Sequence, residues 1–246
     1  MTSLLRHVLL VALSLALGFL PLPGASPDEL SRRGVAAYNA GDFSAAASAF
    51  GESVAQRPAS GTLQNLGLAE WYRNRVGPAI QAWEQALWLD PFNDAVRLNL
   101  RFVRKTAQLE SPEAAWYEIA SMWLPVSWWA WISGLSLWFT VAMASLPGFL
   151  RWRKAGWQQA LAAVGLVVFL LSFPAQLGAH TRSRIGFVLE KGTALRLTPT
   201  REAQTVTLLA PGEPARWERV RGEYLFVRTS HGVGWLEREK LGLICP

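Results

Sequence analysis

Three long apolar stretches mark the chain, at residues 7–22, 122–150 and 157–179. The only charged residues between Glu118 and Arg182 are Arg151, Arg153 and Lys154. A helix needs about 20 apolar residues to cross roughly 30 Å of hydrocarbon, so the second and third stretches are each long enough. The pattern predicts two membrane-spanning helices, at 126–149 and 156–178, joined by a short basic turn.

The first apolar stretch has the features of an export signal. A basic start precedes an uncharged run from Val8 to Leu20, and small residues follow near Ala25. Residues 1–26 are therefore predicted to be a secretory signal peptide, with an uncleaved anchor as the alternative. Basic turns favour the cytoplasmic side of a membrane. The turn is thus expected in the cytoplasm and both flanking regions on the opposite side of the membrane, which in a bacterium is the periplasmic side of the inner membrane.

Tryptophans cluster where the predicted spans end. One group lies at residues 123–131, and Trp152 and Trp157 lie near the turn. Indole rings prefer the membrane–water interface, so this placement indicates two aromatic belts. Residues 111–124 begin with a Ser-Pro-Glu helix start and place Trp116, Ile119 and Trp123 on one face. We expect an interfacial amphipathic helix lying on membrane lipid.

Residues 27–107 repeat with a period of 33. The matching pairs are Gly34 and Gly67, Ala46 and Ala79, Phe50 and Trp83, and Pro58 and Pro91. Small residues allow paired helices to approach closely, and a proline ends the second helix of each unit. The spacing resembles the tetratricopeptide (TPR) repeat, whose unit is two antiparallel helices. We expect two such units and a capping helix.

In TPR proteins the first helix of each unit lines a concave groove. That resemblance predicts an aromatic floor with a basic end, suited to an extended peptide that carries acidic side chains or a terminal carboxylate. Alternatively, the basic stretch 97–105 is a solvated helix face or lies near anionic lipid headgroups. The predicted groove residues are Tyr38, Asn39, Gln64, Leu68, Trp71, Tyr72, Arg97 and Arg101.

Residues 185–246 contain short β-prone segments bounded by Gly and Pro, which is typical of a small barrel. The turn Leu209-Ala-Pro-Gly212 and the run Gly232-Val-Gly-Trp-Leu resemble bacterial SH3-like domains. Trp235 and Tyr224 could form a surface for peptide or cell-wall ligands. Because a barrel tryptophan more often packs inside, the core is the favoured position for Trp235.

The sequence does not indicate catalysis. His7, His180 and His231 fall in separate regions, and no phosphate-binding loop or metalloprotease motif is present. The single cysteine, Cys245, excludes an intrachain disulfide and a Cys-based zinc site. The net charge of +6 comes from dispersed Arg residues, so nucleic acid is not an expected partner. We expect a non-enzyme with no catalytic residue, cofactor or metal.

Taken together, the order of segments resembles the E-type proteins of bacterial aerotolerance (Bat) operons. The predicted fold class is a multi-domain membrane protein: an all-α TPR-like repeat, a two-helix transmembrane hairpin and a small all-β SH3-like barrel. The resemblance implies an inner-membrane scaffold that assembles with von Willebrand-factor-A-type membrane proteins. The alternative function is a cell-envelope sensor that binds peptidoglycan or peptide through the SH3-like domain.

Overall fold

The computed structural model describes residues 25–149 and 156–245. The described part contains eight α-helices and one seven-stranded antiparallel sheet. The predicted signal segment, at 1–26, lies almost wholly outside the described residues, and so do Arg151, Arg153 and Lys154 of the basic turn.

Five helices of similar length form the helical repeat before the apolar helices. Polar side chains start several of them: Ser26 Oγ accepts a hydrogen bond from the Glu29 amide (3.2 Å), and Asp42 Oδ1 accepts one from the Ala45 amide (2.9 Å). The helices are α1 (Pro27–Asn39), α2 (Phe43–Gln56), α3 (Ser60–Tyr72), α4 (Val76–Leu89) and α5 (Asp94–Ala107).

Two glycines that recur in the sequence period occupy equivalent contacts. Gly34 of α1 lies against the ring of Phe50, and Gly67 of α3 lies against the ring of Trp83. A Cβ atom at either glycine would overlap the facing ring. The small residue and the aromatic residue thus let each helix pair close.

Three further helices follow: a short α6 (Trp116–Ser121), then α7 (Val126–Phe149) and α8 (Gly156–Arg182). The structure contains two helices long and apolar enough to cross a membrane, at Val126–Leu146 and Gly156–Arg182. They pack against each other where Gly165 meets Thr140 and Phe139. Most of their large apolar side chains point outward.

The sheet follows α8 directly. Its strand order is β3-β2-β6-β5-β4-β1-β7, and all pairs are antiparallel. Leu195, Leu209, Val227 and Leu236 form the centre of its own core. The strands are β1 (Ile185–Val188), β2 (Thr193–Arg196), β3 (Thr205–Leu209), β4 (Pro214–Arg221), β5 (Tyr224–Thr229), β6 (Gly232–Glu237) and β7 (Leu241–Leu243), with a 3-10 helix at Arg238–Lys240 before β7.

The helical repeat and the sheet share a hydrophobic core. Phe187 of β1 and Ile244, just after β7, are buried in the same cluster as Trp83 of α4 and Leu100 of α5. The side chains of Gln81 and Gln85 also donate to the Leu243 carbonyl (3.4 and 2.9 Å) and so cover the β7 edge of the sheet. The two regions therefore pack together and are not independent domains.

Candidate functional site

The eight predicted groove residues lie on α1, α3 and α5, the alternate helices of the repeat. Tyr38 and Asn39 end α1, the α3 members lie from Gln64 to its last residue, and the α5 members lie within its first eight residues, so the set does not form one cluster. The two ends of the set differ in their contacts.

The end next to α8 can be identified from two contacts. The guanidinium of Arg182, at the end of α8, lies 5.2 Å from the ring of Trp88 near the end of α4. Val126, which begins α7, also packs against the cluster that contains Trp88. The turns after α2 and α4 and the starts of α3 and α5 are therefore on the side of the apolar helices.

At this end, Gln64 and Arg97 have structural partners. Asn93 caps α5 and donates through Nδ2 to Gln64 Oε1 (3.0 Å). Arg97 pairs with Asp94 (3.1 Å) and also donates to the Pro91 carbonyl. These bonds hold the start of α5 against α3, so neither side chain is free to serve only as a ligand-binding group.

The opposite end of the helices carries an aromatic cluster. Tyr72 stacks on Phe43 with ring centroids 4.7 Å apart, and Tyr38 meets both rings edge-on. Burial, and then the nearby Tyr72 hydroxyl, raise the pKa of Tyr38. Trp71 meets Phe102 of α5 edge-to-face at 6.0 Å. We call these five residues the aromatic shelf.

The shelf contains Tyr38, Trp71 and Tyr72 of the predicted set, with Leu68 half-buried in the same helix and Asn39 exposed beside Tyr38. Sequence analysis missed Phe43 and Phe102. Phe43 begins α2, the second helix of its unit, whereas the groove was expected on the first helices. The residue one period before Phe102 is the small, buried Ala69, so the repeat pattern does not indicate an exposed aromatic ring at this position. The basic residues Arg101 and Lys105 are exposed on the same helix as Phe102.

The shelf is far from the apolar helices. Tyr72 is the last residue of α3, whose first residue lies at the opposite end. A helix rises 1.5 Å per residue, so 13 residues place the shelf on the order of 20 Å away from that end. Charges exposed to water are largely screened beyond about 8 Å at physiological salt. Lys105 lies roughly 16 Å beyond the start of α5, too far to contact charges at the end next to the apolar helices, whereas Arg101, at mid-helix, lies roughly 10 Å from that start.

A second cluster, the polar junction, joins α6, α8 and β4. Arg216 of β4 forms a bidentate ion pair with the buried Glu118 of α6, at 2.7 and 3.1 Å, and donates to the Thr181 carbonyl at 3.3 Å. Arg182 donates to Ser121 Oγ at 3.3 Å. Burial alone would raise the pKa of Glu118, but hydrogen bonds from Arg216 and the Ala115 amide outweigh it, so the pKa is lowered.

The polar junction is built to hold elements together. Both carboxylate oxygens of Glu118 accept hydrogen bonds, so the group is stabilised as an anion and is poorly suited to accept a proton. Beside it, a cavity of about 290 Å3 lies between the loop 110–113 and strands β4 and β5. Within residues 25–149 and 156–245, no group of three His, Cys, Asp or Glu side chains is placed to hold a metal ion.

The sheet places Trp235 differently from our expectation. Trp235 alternates along β6 with the buried Gly234 and Leu236, so its ring lies on the opposite, outward face. It packs edge-to-face on Phe226 at 5.3 Å, and the Arg219 guanidinium lies 5.7 Å from the Phe226 ring. The prediction that Trp235 packs in the core was wrong. Its neighbour Gly234, which leaves no room for a side chain next to Leu195, occupies the inner face instead.

Comparison with known proteins adds no assignment: no protein-family model matches the chain, and no curated protein matches it.

Proposed function

We propose that the protein is a non-catalytic scaffold of the bacterial inner membrane that binds a segment of a partner protein on the aromatic shelf. The observation that carries this proposal is the shelf itself. Its rings lie on α1, α3 and α5 and at the start of α2, at the end farthest from the apolar helices, with Arg101 and Lys105 on the same helix as Phe102. Exposed aromatic residues next to basic ones are typical of interfaces that bind peptides with apolar and acidic side chains.

The repeat geometry supports a TPR-like identity for α1–α5. The two glycine–aromatic contacts, Gly34 with Phe50 and Gly67 with Trp83, are separated by one sequence period and are structurally equivalent. The seven short antiparallel strands are compatible with an SH3-like barrel. Both resemblances support the aerotolerance-operon proposal, from which we take von Willebrand-factor-A-type membrane proteins as the partner class.

The topology supports a location of both folded regions on one side of the membrane. Because α7 and α8 form a hairpin, the repeat before it and the sheet after it meet at the same end. The contact between Arg182 and Trp88 lies at that end. Because the N-terminus has the features of an export signal, we propose that this side faces the periplasm.

Co-purification tests the proposal. The full chain is isolated from its bacterial membranes in mild detergent, and co-purified proteins are quantified by mass spectrometry. Two variants change the aromatic shelf or its basic neighbours: the double charge reversal Arg101→Glu with Lys105→Glu, and Tyr72→Ala. Both should lower partner recovery several-fold, because each removes a contact on the shelf. Arg221→Glu, an exposed charge reversal at the end of β4, is the matched control and should leave recovery unchanged.

If both of these variants recover as much partner as the Arg221→Glu control, the assignment of the aromatic shelf as the binding surface would be overturned. The thermal unfolding midpoint of each variant is measured alongside. A shelf variant that lost recovery only through unfolding would show a lowered midpoint.

A second function, the binding of peptidoglycan or peptide by the sheet, is favoured by the outward pair of Phe226 and Trp235. Aromatic rings on a surface bind sugar rings and peptides with little loss of side-chain entropy. Retention of the full chain on purified sacculi tests this function, with Trp235→Ala as the variant. The full chain is needed because Phe187 and Ile244 of the sheet region are buried in the repeat. If the unmodified chain and Trp235→Ala are retained to the same extent, the result would count against this second function.

A further inference from the structure

The short helix α6 has its polar and apolar sides reversed relative to a helix on the surface of a soluble protein. Its two fully buried residues are Glu118 and Ser121, each 1% exposed. The large apolar side chains point outward: Trp116 is 70% exposed and Ile119 is 48% exposed. Trp123, just beyond the helix, is 67% exposed. In water this arrangement would hide the charge and expose the rings.

The reversed orientation is fixed by contacts from three directions. Arg216 of β4 holds Glu118, Arg182 of α8 holds Ser121 Oγ, and Trp129 of α7 donates through Nε1 to the Ser121 carbonyl (3.3 Å). The backbone of Tyr117 also lies directly on Gly178 of α8, where any side chain would clash. α6 therefore cannot rotate to bury its rings without breaking the polar junction.

A further exposed ring lies at the same end of the molecule. Phe92, in the turn after α4, is 60% exposed. It follows Trp88, whose ring lies under the Arg182 guanidinium at the end of α8. Thus the turn between α4 and α5 and the outward side of α6 both lie beside the ends of the two apolar helices.

We propose that Phe92, Trp116, Ile119 and Trp123 form one lipid-facing patch, on which the helical repeat rests against the glycerol and carbonyl layer of the bilayer. The patch continues the apolar surface of α7, where Trp128 and Trp131 are exposed. Aromatic rings partition into this layer of a membrane, and an exposed apolar surface continuous with a spanning helix has lipid as its natural neighbour.

This inference rests on the proposed membrane location and goes further in one respect. It makes the repeat itself, through Phe92, a lipid-contacting element. The repeat is then held upright at a fixed height, and the aromatic shelf faces away from the bilayer at the far end of α3 and α5. A partner must present its segment in the aqueous layer, on the order of 20 Å above the surface, by the rise of the helices.

Site-directed spin labelling in lipid nanodiscs tests the patch. Single cysteines replace the exposed residues Phe92 and Trp116 in a Cys245→Ser background. Phe102→Cys on the aromatic shelf is the matched aqueous control, since Phe102 is as exposed as Phe92. Leu135→Cys in the middle of α7 is the lipid control. Collision rates of each label with oxygen, which is enriched in lipid, and with a water-soluble nickel chelate are compared.

We expect the labels at 92 and 116 to show several-fold less collision with the nickel chelate than the label at 102, and more than the label at 135. Labels at 92 or 116 that match the label at 102 would overturn the patch, while a lipid-exposed label at 135 would leave the membrane location intact. A label at 135 that is fully accessible to the chelate would instead overturn the membrane location. Thermal unfolding of each labelled protein confirms that the fold is retained.

Discussion

Helices α5 and α6 are both amphipathic, yet they bury opposite sides. α5 buries Val96, Leu100 and Val103 and exposes a row of basic residues. α6 buries Glu118 and Ser121 and exposes aromatic and aliphatic residues. The two helices are separated by fewer than ten residues, so chain position does not explain the difference. Under the lipid-patch proposal the two helices differ in the solvent they meet: α5 follows the rule for water, whereas α6 would follow the rule for a lipid interface.

The largest expected effect on stability comes from α5, which buries its apolar side. Leu100→Ala should lower the free energy of unfolding by about 2–5 kcal/mol, because Leu100 is buried in the core shared with the sheet. Leu98→Ala on the outer side of α5 should change it by less than about 0.5 kcal/mol. Denaturant unfolding in detergent measures both. Equal changes in the free energy of unfolding for Leu100→Ala and Leu98→Ala would contradict the burial of Leu100.

The next largest effect on stability comes from α6, which buries its polar side. Glu118→Ala leaves the Arg216 guanidinium without its carboxylate, and breaking a buried ion pair costs about 3–5 kcal/mol. Because Arg216 remains partly open to water, we expect a smaller loss than that range, about 2–3 kcal/mol. Glu113→Ala, whose side chain is exposed on the preceding loop, is the control and should cost little. A loss no larger than that of the control would contradict the role of the polar junction.

The smallest effect is a pH dependence. The pKa of Glu118 is lowered in the folded protein, so its contribution to stability is present above the pKa of an unfolded glutamate and is lost as pH falls through the folded value. Stability should therefore decline below about pH 4, by at most about 1.4 kcal/mol per pH unit for this one proton. Glu118→Gln should remove that part of the decline. Parallel curves for the two proteins between pH 3 and 6 would contradict it.

Much of the fold is visible in the sequence because it depends on local rules. The period of 33 residues predicts the helices of the repeat, and the region of short β-prone segments, 185–246, contains all seven strands of the sheet. The apolar runs end near the ends of α7 and α8, although α8 continues to Arg182, beyond the predicted end at residue 178.

Two of the missed features depend on partners far along the chain. Glu118 looked like an acidic residue flanking a span, but its orientation is set by Arg216, 98 residues later. The outward position of Trp235 follows from Gly234 lying against Leu195, and β-strand alternation alone does not say which face is inside. Gln64 and Arg97 seemed to belong to a groove, whereas local bonds at the start of α5 engage them.

The core shared by α4 and β1 has a consequence for biogenesis. Trp83 is synthesised before both apolar helices and Phe187 after them, yet the two side chains belong to one buried cluster. With α7 and α8 inserted in a bilayer, the helical repeat cannot complete its interior until the last 60 or so residues have been translocated to the same side. If the topology is as proposed, a chain stalled at the translocon would display an unfinished apolar surface to periplasmic chaperones and proteases, and the fold would be completed only after correct membrane insertion.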